Sequence, residues 1–134
     1  MLLEIDHHSG VPIYRQIIEQ VEQQIVAGLL AGGEQLVSVR DMAKQIRVNP
    51  MTVSKAYSLL EMEGYIERQR GVGVFVAKLR KDRRDAAKRH IIEGILKEAA
   101  VKAVQLEIDE QELRDLLAEQ YERFYSRSEK RDVK

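Results

Sequence analysis

Two short helical segments meet at Val48-Asn49-Pro50, and this junction constrains the fold of the 134-residue chain more than any other feature. Asn49 is a favourable N-cap residue, Pro50 suits the first position of a helix, and a residue that precedes proline is disfavoured in the α region. Ser38, three residues before Asp41, resembles a capping box at the start of the preceding segment. The pattern predicts two short helices joined by a tight turn.

A longer helix precedes this pair and a β-hairpin follows it. Apolar residues recur every four positions from Ile13 to Leu29, which predicts a first helix over residues 12–28. After Gly64 the period changes to two, and Gly71-Val72-Gly73 separates the predicted strands 65–70 and 74–76. We predict a mainly α fold with a small β-hairpin (α+β), in which a two-helix C-terminal dimerisation segment follows an N-terminal winged helix-turn-helix.

The chain is predicted to contain three regions. Residues 1–78 form a winged helix-turn-helix DNA-binding domain, residues 79–126 a helical dimerisation segment, and residues 127–134 a charged, disordered tail. The second region carries an apolar stripe that two helices alone cover poorly, so a homodimer is the simplest solution. The alternative is that these helices fold back on their own winged helix. The predicted dimerisation residues are Ile91, Ile92, Ile95, Leu96, Ala99, Leu113, Leu116, Leu117, Tyr121 and Phe124.

The start of the third helix predicts a DNA contact. A recognition helix exposes short polar or basic side chains at its N-terminus and buries its other face. Here Val53, Ala56, Tyr57 and Leu60 form an apolar stripe. The side chains of Met51, Thr52, Ser54 and Lys55 lie off that stripe. The competing interpretation is that they are helix caps and solvated surface.

Charge is balanced over the whole chain, with 22 basic and 22 acidic residues. Nonspecific affinity for nucleic acid comes from an excess of Lys and Arg, so this balance predicts weak binding to random DNA. The stretch 37–70 nevertheless has more bases than acids, and we expect affinity to depend on a dimer and a matched site. Its bases are Arg40, Lys44, Arg47, Lys55, Arg68 and Arg70, and its acids are Asp41, Glu61, Glu63 and Glu67.

A second basic run lies between residues 78 and 89 and contains two interleaved acids. It could steer the protein onto DNA or contact flanking phosphates. The interpretation favoured by the interleaved acids is a solvated helix face with internal ion pairs.

Several ordered motifs resemble the N-terminal domain of GntR-family bacterial transcription regulators. They include Pro12-Ile13-Tyr14-Arg15-Gln16-Ile17, Ser38-Val39-Arg40-Asp41-Met42-Ala43, Val48-Asn49-Pro50-Met51-Thr52-Val53 and Gly71-Val72-Gly73-Val74-Phe75-Val76. The resemblance spans about residues 11–77, and the two-helix extension resembles the short YtrA subfamily. Two departures each remove a proline: Gly32-Gly33 replaces the usual Pro-Gly, and Leu36-Val37-Ser38 replaces the usual Leu-Pro-Ser.

The resemblance implies a set of DNA-binding residues and a mode of action. Arg40 would contact DNA, although an exposed salt bridge with Asp41 or Glu34 is the alternative. Arg70 and Gly71 would form the wing tip that reaches the minor groove, whereas an ordinary hairpin turn also explains the glycine. The implied residues of the recognition helix are Asn49, Pro50, Met51, Thr52, Ser54 and Lys55. The implied function is a repressor that binds a palindromic operator on double-stranded DNA as a homodimer.

Other function classes find little support. The chain has no cysteine and three histidines, which leaves the usual sets of nucleophiles and metal ligands nearly empty. We expect no enzyme activity, no cofactor, no metal and no membrane span, and we expect a cytoplasmic bacterial protein. A small-molecule effector would have to bind between helices or at the dimer interface. The alternative function is a winged-helix protein–protein interaction module without DNA binding.

Overall fold

The computed structural model describes residues 1–132, with side chains described through residue 128. Its described elements follow the predicted order, and the mainly α fold with a small hairpin is confirmed. They are α1 (Ile13–Val26), α2 (Val39–Ile46), α3 (Pro50–Met62), β1 (Ile66–Gln69), β2 (Gly73–Val76), α4 (Lys81–Gln105) and α5 (Glu110–Asp132). The first helix is thus shorter than the predicted range 12–28.

The local signals at the helix starts act as predicted. The Ser38 hydroxyl accepts a hydrogen bond from the Asp41 N–H at 3.1 Å, and the Asn49 side chain accepts one from the Met51 N–H at 2.9 Å. Between the two helices, Arg47 adopts φ 56°, a left-handed conformation that is uncommon outside glycine. This residue reverses the chain over a few positions, so α3 begins close to the end of α2.

The first three helices enclose one apolar core. Ile17 and Val21 from α1 and Val53 and Leu60 from α3 are fully buried, and α1 and α2 both pack on α3. Tyr57 is also fully buried, and its hydroxyl donates to the Val37 carbonyl at 2.8 Å. Burial raises the pKa of Tyr57 to about 12. The predicted buried stripe of α3 is confirmed, and it fixes which face of this helix points outward.

The hairpin has a third backbone partner that the sequence pattern did not predict. β1 and β2 pair antiparallel, with Ile66 opposite Val76, and Gln35 forms an antiparallel bridge with Phe75 on the other side of β2. In the same segment the Leu36 N–H donates to the Val74 carbonyl at 2.8 Å, and the Glu34 carbonyl accepts from the Val76 N–H at 2.8 Å. An isolated two-stranded hairpin is marginally stable in water, so this pairing supports the wing.

An extended segment at the start of the chain, here called the N-terminal arm (residues 1–6), runs antiparallel to α1. Three glutamines spaced by four residues on α1 bind its backbone at every second residue. Four residues of helix advance about 6 Å and two residues of strand about 6.6 Å, so the two periods match. Gln24 donates to the Leu2 carbonyl at 2.8 Å, Gln20 makes bonds of 2.7 and 2.8 Å with Glu4, and Gln16 makes two of 2.9 Å with Asp6.

The chain divides into two compact units, of which the first is Met1–Lys88 and the second begins at Arg89. The division therefore falls after the start of α4, whereas the predicted boundary lies after residue 78. The predicted disordered tail, residues 127–134, also differs, because α5 continues to Asp132. Lys, Arg and Glu are good helix formers, which explains why this charged stretch extends the helix. Residues 133 and 134 lie outside the described residues.

Over the part of the chain that the structure describes, no helix is long and apolar enough to cross a membrane.

Candidate nucleic-acid interface

The N-terminal end of α3 presents the residues predicted to contact DNA. Asn49, Pro50 and Lys55 are exposed, while Thr52 and Ser54 are half-buried. Met51 is 78% exposed, so its apolar side chain is available to another molecule. None of these six belongs to the buried stripe of Val53, Ala56, Tyr57 and Leu60, and all lie at the N-terminal end of the helix.

Lys55 has a neighbour that the sequence did not reveal. Its ammonium Nζ lies 4.0 Å from the centre of the Tyr14 ring, in the first turn of α1. An exposed cation–π contact of this kind contributes about 0.5–1 kcal/mol. The ring holds the long lysine side chain near the start of α3. Tyr14 belongs to the apolar stripe of α1 by spacing, so nothing in its periodicity distinguished it from a core residue.

Arg40 lies in the first turn of α2 with its side chain exposed. Among the ion pairs and hydrogen bonds of the described residues, none joins Arg40 to Asp41 or Glu34. The salt-bridge alternative is therefore not formed. The guanidinium keeps its donors available for another group, which is what a contact with a phosphate or a guanine requires.

The wing tip is a tight turn in which the Val72 N–H donates to the Gln69 carbonyl at 2.9 Å. Gly71 has φ +75°, and a Cβ placed there would meet no atom within 4 Å. The backbone conformation, rather than crowding inside this chain, therefore selects glycine. Open space around Gly71 also permits another molecule to approach closely. Arg70 beside it is exposed.

Arg68 on β1 is a further basic residue near this surface, and it was not among the predicted DNA-binding residues. Its guanidinium donates to the Ser58 hydroxyl at 3.2 Å, and its Nε lies 3.9 Å from a Glu61 oxygen. The Arg68 N–H donates to the same carboxylate at 3.2 Å. These contacts join the wing to the exposed side of α3, and because they connect different elements no sequence period signals them.

The second unit presents a different surface. The predicted dimerisation residues Ile92, Ile95, Leu96, Ala99, Leu116, Leu117, Tyr121 and Phe124 are exposed, and Ile91 and Leu113 are half-buried. Leu117 is 51% exposed and Tyr121 67%. The ring of Tyr121 stacks on Tyr125 with centroids 5.8 Å apart. A cleft of about 450 Å³ between α4 and α5 is lined by apolar residues of this set and by Ala100, Glu110, Arg114 and Gln120. The predicted dimerisation residues together with Tyr125 form a surface that we call the apolar face.

The described side chains contain no group of three or more His, Asp or Glu residues that could hold a metal ion.

A helix-turn-helix with an exposed N-terminal surface on its second helix and a glycine-tipped wing defines a winged-helix DNA-binding protein. Residues 13–76 match the family described as bacterial regulatory proteins, gntR family. The chain is 36% identical over 118 residues to the HTH-type transcriptional repressor YtrA of Bacillus subtilis strain 168, which covers 88% of this chain and 91% of that protein. The chain therefore belongs to the GntR family and is a YtrA-like DNA-binding transcription regulator, not an enzyme.

Solved structures agree with this assignment. A GntR family transcriptional regulator from Listeria monocytogenes superposes with a TM-score of 0.76 at 28% identity, over 86% of this chain and 98% of that one. The DNA-binding domain of AraR, solved in complex with operator ORX1, superposes with a TM-score of 0.52 at 25% identity, over 56% of this chain and 96% of that one. The family consists of DNA-binding regulators, so the alternative of a protein-interaction module without DNA binding is set aside.

Proposed function

We propose that this chain acts as a homodimer that binds a palindromic operator and represses transcription by covering a promoter. The observation that carries the dimer is the apolar face, which a single chain leaves largely in water. The repressor role is supported by the similarity to YtrA of Bacillus subtilis, which is a transcriptional repressor. Operator binding is supported by the likeness to the AraR domain that was solved with its operator.

The apolar face favours a second copy of the chain as its partner. Each square ångström of apolar surface removed from water contributes about 25 cal/mol, so covering several Leu, Ile and aromatic side chains is strongly favourable. In a twofold dimer the same patch on both chains is covered at once. We assign the cleft between α4 and α5 to the partner's helices because it is continuous with this face. An effector of suitable size would have to compete for the same cleft.

A twofold axis also explains how the DNA surface would be used. Paired recognition helices in a symmetric dimer enter successive major grooves about 34 Å apart. Thr52, Ser54 and Lys55 would then face base edges and phosphates, with Asn49, Pro50 and Met51 at the helix start. Arg40 would contact the major groove or its phosphate border, and Arg70 with Gly71 would reach the neighbouring minor groove. Because this partner is bacterial DNA, we place the protein in the cytoplasm.

The test measures mass and operator binding together. The wild-type chain is expected to sediment as a dimer at micromolar concentration and to bind the palindrome from its own promoter region. Leu117→Glu places a charge in the centre of the apolar face and is expected to give monomers and to lose operator binding by more than about 100-fold, since half-sites then bind independently.

Val104→Glu is the matched control, because Val104 is 77% exposed on α4 but lies outside the predicted dimerisation residues. It should keep the dimer mass and the operator affinity. A monomeric wild-type protein that binds a single half-site as tightly as the palindrome would contradict the proposal.

A further inference from the structure

The wing is held to the helices of its unit at its base and along its two edges. Ile66, at the start of β1, is fully buried, whereas residues 67–69 are exposed. Packing in the apolar core therefore fixes the base of the hairpin but not its outer half. The edge formed by β2 is held by the backbone pairing of Gln35 with Phe75. Within the described residues no strand lies beside β1 on its other edge, and side chains take the place of a strand there.

Glu61, in the last turn of α3, occupies the open edge of β1. Its carboxylate accepts from the Arg68 N–H at 3.2 Å and lies 3.9 Å from the Arg68 Nε. The Arg68 guanidinium also donates to the hydroxyl of Ser58, one turn earlier on α3, at 3.2 Å. An edge strand presents N–H groups without a strand partner, and a carboxylate is a strong acceptor for such a donor. Arg68 is therefore bound to α3 through both its backbone and its side chain.

These contacts lie partly in water, since the side chains of Arg68 and Glu61 are 39% and 42% exposed. Ion pairs at such exposure add little to the stability of a fold, so the hairpin and α3 do not need this pair in order to form. The contact instead restricts the direction in which the outer half of the wing leaves α3. Arg70 follows two residues later, at the wing tip.

The two arginines of the wing have different partners. Arg68 has its charge compensated by Glu61, and a phosphate that took its guanidinium would meet the Glu61 carboxylate beside it. Among the described residues, no hydrogen bond or ion pair engages the guanidinium of Arg70. Arg68 is thus directed inward to the recognition helix, whereas Arg70 keeps its donors for another molecule.

We infer that Arg68 is a positioning residue for DNA binding: through Glu61 it holds the wing against the recognition helix, so that Arg70 meets the minor groove while α3 occupies the adjoining major groove. This inference rests on the wing contact in the proposed function. DNA sets the separation of the two grooves, and a wing that is already held at the matching distance loses less freedom on binding. All of these residues belong to the first compact unit, so the effect is internal to one winged helix.

Glu61→Ala separates positioning from simple electrostatics by the sign of its effect. If only charge matters, removing an acid near the DNA surface should strengthen binding, because DNA is a polyanion. Loss of positioning should instead weaken operator binding, by about fivefold, because the wing is then ordered only when DNA binds. Glu67→Ala is the matched control: Glu67 is exposed on the same strand, carries the same charge and has no hydrogen bond or ion pair among the described residues. This control should bind at least as tightly as wild type.

A double-mutant cycle then locates the effect of Arg68 at the wing tip. Fluorescence anisotropy with a labelled duplex that carries the palindrome from its own promoter region compares full-length wild type, Arg68→Ala, Arg70→Ala and the double variant. Each single variant should lose about 10-fold in affinity. The double variant should also lose little more than about 10-fold, because Arg68 acts through Arg70. Two independent DNA contacts would multiply to a loss of about 100-fold.

Urea unfolding should place all of these variants close to wild type, and if one of them does not fold, either the Glu61 comparison or the cycle still carries the test. Tighter binding by Glu61→Ala, or a 100-fold loss in the double variant, as independent contacts would give, would overturn the inference and leave the proposed function intact. Wild-type affinity in Arg70→Ala would instead remove the wing contact from the proposed function, and this inference with it. The two failures are therefore distinguishable.

Discussion

The winged helix and the C-terminal helices use their apolar residues in opposite ways. In the first unit Ile17, Val53 and Leu60 are fully buried within their own chain, whereas in the second Leu117 and Phe124 remain more than half exposed. An apolar stripe on a helix indicates that another element packs on it, but it does not indicate whether that element belongs to the same chain. The first unit covers its stripes with neighbouring elements of the same chain, and we propose that the second does so with another copy.

Truncating one leucine in each region is expected to give the largest difference between the two units. Leu60→Ala removes a fully buried side chain and should lower the free energy of unfolding by about 2–5 kcal/mol. Leu117→Ala removes one that is 51% exposed in the single chain, so it should cost less than about 0.5 kcal/mol at dilutions where the protein is monomeric. Urea unfolding at several protein concentrations measures both. Equal costs at high dilution would show that the second unit covers its leucines without a partner.

A second test separates the DNA surface from the core of the same unit. Arg40→Ala and Arg70→Ala remove exposed side chains, so each should leave the unfolding transition in place while weakening operator binding by about 1–3 kcal/mol. Fluorescence anisotropy with a labelled operator provides the affinity. Lys97→Ala is a suitable control, because Lys97 is an exposed basic residue of α4 that lies outside the cleft and outside the predicted dimerisation residues. Unchanged affinity in both test variants would remove them from the interface.

The smallest expected effect concerns alkaline pH. Tyr57 has a folded-state pKa of about 12, above its ordinary value of 10, so the unfolded chain releases its proton first. The stability that depends on the protonated phenol is complete below pH 10 and is lost as the pH rises to about 12. Tyr57→Phe loses the bond to the Val37 carbonyl, at about 1 kcal/mol, but should show a shallower fall of stability over this pH window. Thermal unfolding from pH 8 to 12 records it, and an unchanged slope would contradict the assigned cause.

Local signals account for most of what the sequence predicted correctly. The caps at Ser38 and Asn49, the break at Gly64 and the buried stripe of α3 each depend on neighbours within a few residues, so periodicity and capping preferences reveal them. The pairing of Gln35 with Phe75, the ring of Tyr14 beside Lys55 and the contact of Arg83 with Glu63 join residues far apart in the chain. The local sequence pattern of a single segment does not predict these contacts, because they depend on how the helices and the hairpin pack.

For the predicted DNA-binding site, too, the sequence indicated the local features but not the contacts between distant residues. The fold brings the start of α3, Arg40 and the wing tip to the outside of one unit, yet their individual roles on DNA remain predictions. The structure differs from two predictions for the C-terminal region, namely the domain boundary after residue 78 and the disordered tail from residue 127. Both differences have the same physical origin. A run of charged residues suggests solvent and disorder, but Lys, Arg and Glu also favour helix, and here α4 and α5 extend through them.

The N-terminal arm has a practical consequence for measuring this protein on DNA. The three side chains that hold it are amides, which carry no charge at any pH and attract no counterions. Added salt will therefore weaken contacts with phosphate without loosening the arm from α1. The slope of the logarithm of affinity against the logarithm of salt concentration should then count phosphate contacts alone, free of any contribution from rearrangement of the arm.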